Sequence, residues 1–287
     1  MTQPDTMHAN IPLTAVQAGL LRRTRRLFCH ADGRAILVPI DHGLYSGPMD
    51  GIEDPLRVAR AVLAGADGLL ISPGFARAIA AELPARCALV MRVGAINDQS
   101  PVQGYEAVYA SVKLALRYDA DWLVHTLYIG GDQDAQAIRD AGVLVEAADR
   151  YNVPVLLEFL PRDDGWQPGH VAAWARLGAE LGASAIKTIY TGDVESFAGV
   201  TGGCPVPVLV AGGPAGGEVA DLLQLTDDVV AAGGAGLAIG RRVWQAPDPA
   251  RLLTMLGGLV HCQVTLAEAV EALGAGQEPG RDSHDVR

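Results

Sequence analysis

The chain has 287 residues, 49% of them hydrophobic and 19% charged, a composition that excludes a disordered or fibrous chain and allows one large core or two small ones. Its 22 basic and 33 acidic residues leave a net charge of −11, which argues against nucleic acid or an anionic membrane as partner, because both demand positive surface. Cys29, Cys87, Cys204 and Cys262 lie far apart with no Cys-x-x-Cys pair, so neither a zinc ribbon nor a disulfide scaffold is indicated and a reducing cytoplasm is the expected compartment. No apolar run reaches the ~18 residues of a membrane span, and Met1-Thr2-Gln3-Pro4-Asp5 lacks the basic start and apolar stretch of a signal peptide.

Residues 1–20 read as a flexible extension, followed by the basic segment Leu20 to Phe28. From there, short apolar runs alternate with helical patterns. In chain order the runs are Ala35 to Ile40, Gly68 to Ile71, Ala88 to Val93, Trp122 to Tyr128, Pro154 to Leu160, Ala185 to Lys187, Pro207 to Ala211 and Gly236 to Ile239. They are continuous rather than alternating, as parallel strands buried on both faces are. Between them, helical periodicity covers Pro55 to Ala64, Tyr105 to Tyr118, Asp134 to Arg150, Pro168 to Leu181 and Gly216 to Ala232, with a short helix near Asp193. Eight strand-then-helix units in one stretch predict a (β/α)8 barrel occupying residues 21–273 as a single domain. The rival, a doubly wound open sheet, opens with Gly-x-Gly-x-x-Gly after its first strand, where this chain reads Pro39-Ile40-Asp41-His42-Gly43. The tail 274–287 is polar and Gly-rich and is expected to be loose.

A barrel collects its chemistry at the C-terminal ends of its strands. Those ends carry Asp41 and His42, Ser72, Arg92, Thr126 to Tyr128, Glu158 to Leu160, Lys187, Gly212-Gly213, and Gly240-Arg241. Lys187 stands out by scarcity as well as place. Twenty of the 22 basic residues are Arg, and the two lysines are Lys113 and Lys187. Arg cannot replace an amine that must lose its proton and attack carbon. Lys113 fits a solvated helix face beside Arg117. Lys187 lies in an apolar run, where lost hydration disfavours its charged form, and a neutral amine there can add to a ketone and form an iminium. The plainer alternative is an ion pair of Lys187 with Asp41 or Glu158.

Asp41 has the chemistry to shuttle protons during carbinolamine formation and dehydration, or else simply to form the turn before Gly43. His42 reads as a structural hydrogen-bonding residue. No His or Cys stands near it at ligand spacing, so a zinc-dependent aldolase is not indicated; no metal and no other cofactor is expected. The glycine pairs after the seventh and eighth strands, with Arg241, match the place where barrels hold phosphate. His125 is one residue from Thr126, so alternation sends it to the outside of the barrel.

Four ordered motifs, Val38-Pro39-Ile40-Asp41-His42-Gly43, Ala185 to Asp193, Pro207 to Pro214 and Ala238 to Gln245, resemble those of the DeoC/FbaB-type Schiff-base aldolases. That group includes archaeal-type class I fructose-bisphosphate aldolases, an aminodideoxyheptulosonate synthase, and a thiolase acting on a phosphorylated autoinducer derivative. The resemblance spans about Leu20 to Leu273. It implies a (β/α)8 barrel with Lys187 as Schiff-base lysine and Asp41 as acid/base. Substrate phosphate would be held at Gly212, Gly213, Gly240 and Arg241; by their places at the strand ends, His42, Arg92 and Thr126 are further candidates for the substrate pocket. It further implies a phosphorylated small-molecule substrate and homo-oligomers, decamers among them. In the aldolases the fifth strand ends Tyr-Pro-Arg-Gly and its Tyr donates a proton. Here the segment is Leu160-Pro161-Arg162-Asp163, and Leu160 has no proton to give. The synthase's fourth-strand His would fall at Thr126, and Tyr128-Ile129-Gly130 is closer to the thiolase. Glu158 shares a strand face with Leu160 and offers a replacement acid/base, or else a structural partner for Lys187 or Arg92. Tyr128 and Tyr190 are the other candidate donors.

Overall fold

A computed structural model describes residues 15–96, 105–213 and 217–274. Eight parallel strands close into a barrel: β1 (Ala35–Pro39), β2 (Gly68–Ile71), β3 (Ala88–Arg92), β4 (Trp122–Ile129), β5 (Val155–Pro161), β6 (Ala185–Thr188), β7 (Val208–Ala211) and β8 (Gly236–Ala238), paired in that order, with β8 returning to β1. Helices lie on the outside, as a (β/α)8 barrel requires, because both faces of each strand must be covered by apolar groups. The order of the strands matches the expectation from sequence, whereas the helices depart from it: Pro73–Ile79, Pro249–Val260 and Leu266–Leu273 are helices that the periodicity does not predict. The helix expected over Tyr105 to Tyr118 begins only at Val112. Ser111 caps it by accepting from the Leu114 amide at 3.2 Å, and Ala107–Val108 instead pairs antiparallel with Gly94–Ala95. Gly216, expected to open a helix, lies outside the described residues, and that helix runs Val219–Ala231. No helix among the described residues is long and apolar enough to cross a membrane.

Alternation along the strands sorts the core into two parts. Ile36, Leu69, Leu89, Met91, Leu123, Leu157, Ile186 and Val210 face the helices. Ala35, Leu37, Leu70, Val90, Trp122, Val124, Leu156, Ala185, Leu209 and Ala238 fill the barrel interior. The helix Ala15–Leu27 closes the floor, at the strand starts: Leu27 joins the interior cluster, Phe28 packs edge-on against Trp122 at 5.7 Å between ring centroids, and the Trp122 indole N–H donates to the Arg23 carbonyl at 3.1 Å. That helix already starts within the segment expected to be a free extension. Residues 1–14 and 275–287 lie outside the described residues.

Two residues further along β3 to β6 the interior turns from apolar to polar and charged. Val90 is followed on the same face by Arg92, Val124 by Thr126, Leu156 by Glu158, and Ala185 by Lys187. Register locks the layer together, with Thr126 opposite Glu158 and Glu158 opposite Lys187. The apolar layers therefore act as a plug, with polar groups stacked on top of it at the mouth.

Candidate active site

The mouth holds a cavity of about 380 Å3, lined by residues that include Asp41, His42, Tyr45, Arg92, Thr126, Tyr128, Glu158, Leu160, Lys187 and Ile189, with Gly212, Gly213, Gly240 and Arg241 at its rim. At its base is an ion network in which Arg92 and Asp41 are each 2% exposed. The Arg92 guanidinium donates from Nε to Asp41 at 2.7 Å, from Nη1 to the Thr126 hydroxyl at 2.5 Å, and from Nη2 to Glu158 Oε2 at 2.9 Å. Thr126 donates its own hydroxyl proton to the same Glu158 oxygen at 2.9 Å. The other oxygen, Oε1, is ion-paired with Lys187 Nζ. Two cations, Arg92 and Lys187, face three carboxylates, Asp41, Glu158 and Glu106.

This arrangement decides which groups are charged. Burial alone would push the Glu158 carboxyl up, but the adjacent Lys187 and Arg92 charges outweigh it and hold Glu158 well below the usual carboxylate range. Asp41 behaves likewise: burial opposes its charge, and Arg92, with His42 and Lys187, more than restores it. Burial is also the main reason His42 falls to about 4, despite the nearby Asp41. The imidazole is therefore neutral at neutral pH, with Nδ1 3.8 Å from Asp41 Oδ1 and the ring edge-on to Trp244.

Tyr45 and Glu106 are the site residues that strand ends did not point to. Tyr45 lies in the short helix Gly43–Ser46 after β1. It donates to Asp41 Oδ2 at 2.9 Å, and its ring is stacked against the Arg92 guanidinium at 5.4 Å. Burial, first among several causes, raises its phenol well above the ordinary tyrosine value, so the group stays protonated. Glu106 precedes the Ala107–Val108 strand and supports the mouth from outside. It accepts from the Thr126 amide at 2.8 Å, meets His125 Nδ1 at 3.1 Å, and lies 3.5 Å from Arg92 Nη1. His125 is thus on the outer face, as alternation requires.

Among the proposed donors, Tyr128 lines the cavity and is the register partner of Leu160, with which it shares the cavity wall. Tyr190 does not line it. Beyond the end of β6 the backbone leaves the barrel wall, and the Tyr190 phenol donates to Asp228 on the helix Val219–Ala231 at 3.0 Å while its ring packs on Phe197. A role for Tyr190 as donor is therefore corrected: it bridges outer helices. At the rim, Gly240 must be glycine for steric reasons, because a Cβ there would sit 2.5 Å from the Pro39 carbonyl oxygen and 2.7 Å from His42 Cε1. Arg241 follows it, with Nη2 3.5 Å from the Gly213 carbonyl oxygen. Pro214, part of the same motif, lies outside the described residues.

Residues 35–246 match the DeoC/LacD family aldolase model. The chain is 34% identical over 259 residues to 2-amino-4,5-dihydroxy-6-oxo-7-(phosphonooxy)heptanoate synthase of Streptomyces griseus, covering 88% of this chain and 94% of that protein. It is 33% identical to 2-amino-3,7-dideoxy-D-threo-hept-6-ulosonate synthase 1 of Archaeoglobus fulgidus, covering 89% and 96% of the two chains. Among solved structures, an archaeal fructose-1,6-bisphosphate aldolase superposes with a TM-score of 0.75 at 28% identity, covering 84% of this chain and 99% of its own. In that structure the catalytic lysine is covalently bound to the carbinolamine intermediate of the substrate.

Proposed function

The chain belongs to the DeoC/LacD family of aldolases, enzymes that make or break carbon–carbon bonds, and we propose that it acts on a phosphorylated ketose through a Schiff base on Lys187. One observation carries this reading: Lys187 is paired with Glu158 at the base of a cavity whose rim holds Gly212, Gly213, Gly240 and Arg241. Glu158 stands where it can take the proton that Lys187 must lose before Nζ adds to the substrate carbonyl. Water leaves the carbinolamine to give an iminium. The bond between the α and β carbons of the iminium then breaks, its electron pair forming an enamine as the iminium π electrons move to nitrogen, while the hydroxyl on the β carbon gives its proton to a base and becomes the carbonyl of the released fragment. Asp41, held ionised by Arg92 and hydrogen-bonded by Tyr45, is that base. Protonation of the enamine carbon and addition of water to the iminium so formed free the second product and Lys187. The rim glycines and Arg241 hold the phosphate and fix the carbonyl over Lys187. Run in the other direction with an aldehyde or ketone acceptor, the same enamine forms a bond, which is the sense of the two synthases' names.

Leu160 favours a second reading. With no phenol at the end of β5, the iminium could instead activate a dicarbonyl compound for acyl transfer to a thiol or water. Dependence of turnover on an added thiol separates the two.

The test is reduction with borohydride in the presence of fructose 1,6-bisphosphate or dihydroxyacetone phosphate, read by intact mass. The expected result is one reduced adduct per chain, mapped to Lys187 and absent from a folded Lys187→Arg variant, because guanidinium keeps the charge but is no nucleophile. An adduct that survives Lys187→Arg and vanishes in Lys113→Arg would refute the assignment.

A further inference from the structure

The floor of the barrel, at the opposite end from Lys187, carries a second cluster of chemically active side chains. Cys29 and His30 follow the helix Ala15–Leu27, and Asp67 precedes β2. One donor atom from each of the three lies within 4.8 Å of the other two. His30 Nε2 is 2.9 Å from Asp67 Oδ1, and Cys29 Sγ is 3.8 Å from that same oxygen. A tetrahedral zinc ion, with bonds of about 2.0–2.2 Å to N and O and about 2.3 Å to S, sets N to O roughly 3.4 Å apart and S to O roughly 3.6 Å apart. These two pairs need shifts of only about half an ångström to meet those separations.

We propose that Cys29, His30 and Asp67 form a binding site for a zinc-class divalent cation that is structural rather than catalytic. The surroundings have the character of an outer shell. His261 stacks on His30 with ring centroids 3.8 Å apart. Its Nδ1 is held by Asp32 at 2.9 Å, which leaves Nε2 directed towards Asp67 Oδ2 at 3.9 Å. A carboxylate on one imidazole nitrogen with the other turned inward is the usual way a protein orients a ligating histidine. His261 braces His30 from outside the three-residue set, and water completes the fourth place. Asp67 is itself fixed, because its Oδ2 accepts the Ile36 amide at 2.8 Å. Of the nearby arginines, Arg86 donates to the carbonyls of Leu63 and Ala64, while Arg34 donates to the Val260 carbonyl and from the same Nη1 lies 3.8 Å from Asp32 and 3.3 Å from Cys262 Sγ. A bound ion would tie together three segments remote in sequence: the end of the first helix, the start of β2 and, through His261, the C-cap of the helix Pro249–Val260.

The experiment strips the full chain with a chelator and titrates it with Co2+ under reducing conditions. It follows the thiolate-to-cobalt absorption band, and then Zn2+-dependent melting. The expected result is one Co2+ per chain with that band and a melting temperature that rises with Zn2+. Cys29→Ser should remove the band, and both Cys29→Ser and His30→Ala should weaken binding by at least ~10-fold. Cys262→Ser, which removes the other exposed thiol, should change neither. Circular dichroism on the variants separates lost binding from lost fold, and both substitutions fall on exposed residues. Absence of stoichiometric binding, or a band that survives Cys29→Ser or disappears in Cys262→Ser, would overturn the proposal.

Discussion

The two ends of the barrel use the same residue types for different purposes. At the floor, Asp67 accepts the Ile36 amide at 2.8 Å, and Asp121 accepts the Leu89 amide at 3.0 Å while pairing with Arg26 at 2.7 Å. Both carboxylates precede a strand and satisfy backbone donors of the neighbouring one. At the mouth, Asp41 and Glu158 address no backbone group in the network described; they face Arg92, Lys187, Thr126 and Tyr45. A carboxylate that serves the backbone is committed to holding strands together. One that faces other side chains can change partners when a substrate arrives. Substitutions at the two ends should accordingly fail in different ways, the mouth losing turnover while folded and the floor losing stability while active.

The strongest expected separation is at Glu158. Glu158→Gln should slow the approach to full borohydride trapping, while leaving its end point at saturating substrate unchanged, and should lower turnover by roughly 10²–10⁴, the usual cost of a lost general acid or base. Unchanged turnover would make Glu158 structural and shift attention to Tyr45 and Tyr128. Arg241→Ala comes next. It should raise KM for a phosphorylated substrate about tenfold to a hundredfold, equivalent to the ~1.5–3 kcal/mol of a charge-assisted contact, and leave a dephosphorylated analogue nearly untouched. Equal losses for both would remove phosphate from the rim. At the floor, Asp121→Ala leaves the buried Leu89 amide unpaired and should cost about 1–3 kcal/mol in denaturant unfolding, with KM and kcat as in the parent. A matching fall in kcat would break the division between the ends.

The smallest expected effect is none at all. Glu158 ionises more readily in the folded chain than unfolded, its carboxyl falling from 4.5 to about 2. Its contribution to stability is therefore complete above the unfolded value and is lost as pH falls from there towards the folded one. His42, at about 4, is neutral over the same upper range. Between about pH 5 and pH 7 neither group changes charge, so a kcat/KM profile with an acid limb in that interval must owe it to another group, such as the substrate phosphate.

Legibility in the sequence follows the regularity of the backbone. All eight strands can be read, because runs such as Ala88 to Val93 are apolar on both faces. Once they are placed, period-two alternation puts Arg92, Thr126, Glu158 and Lys187 on one surface. Lys187 has a second signal in the near absence of other lysines. What escapes depends on loops, where no period operates. Tyr45 reaches Asp41 through a single helical turn, and Glu106 reaches Arg92 only because the segment after β3 folds back as a two-stranded ribbon. Tyr190 defeats the same logic: three residues past Lys187 the strand has ended, and alternation no longer says where a side chain points. Cys29, His30 and Asp67 form no motif at all, since spacing along the chain carries no record of which strand starts are neighbours in a closed barrel.

Closure itself has a consequence for the order of events during synthesis. The pairing of Ala35 with Gly236 joins β1 to β8, the first strand made to the last. Until Gly236–Ala238 leaves the ribosome, β1 has a bare edge, an invitation to pair with another chain. The contact that removes it spans nearly the whole domain, and such long-range contacts form slowly. It is also intolerant of change: Gly236 has φ +111°, and a Cβ there would sit 2.0 Å from the Ala35 carbonyl oxygen. Closure of the barrel is therefore a late, long-range step, made at a position where the backbone and the space beside it favour glycine.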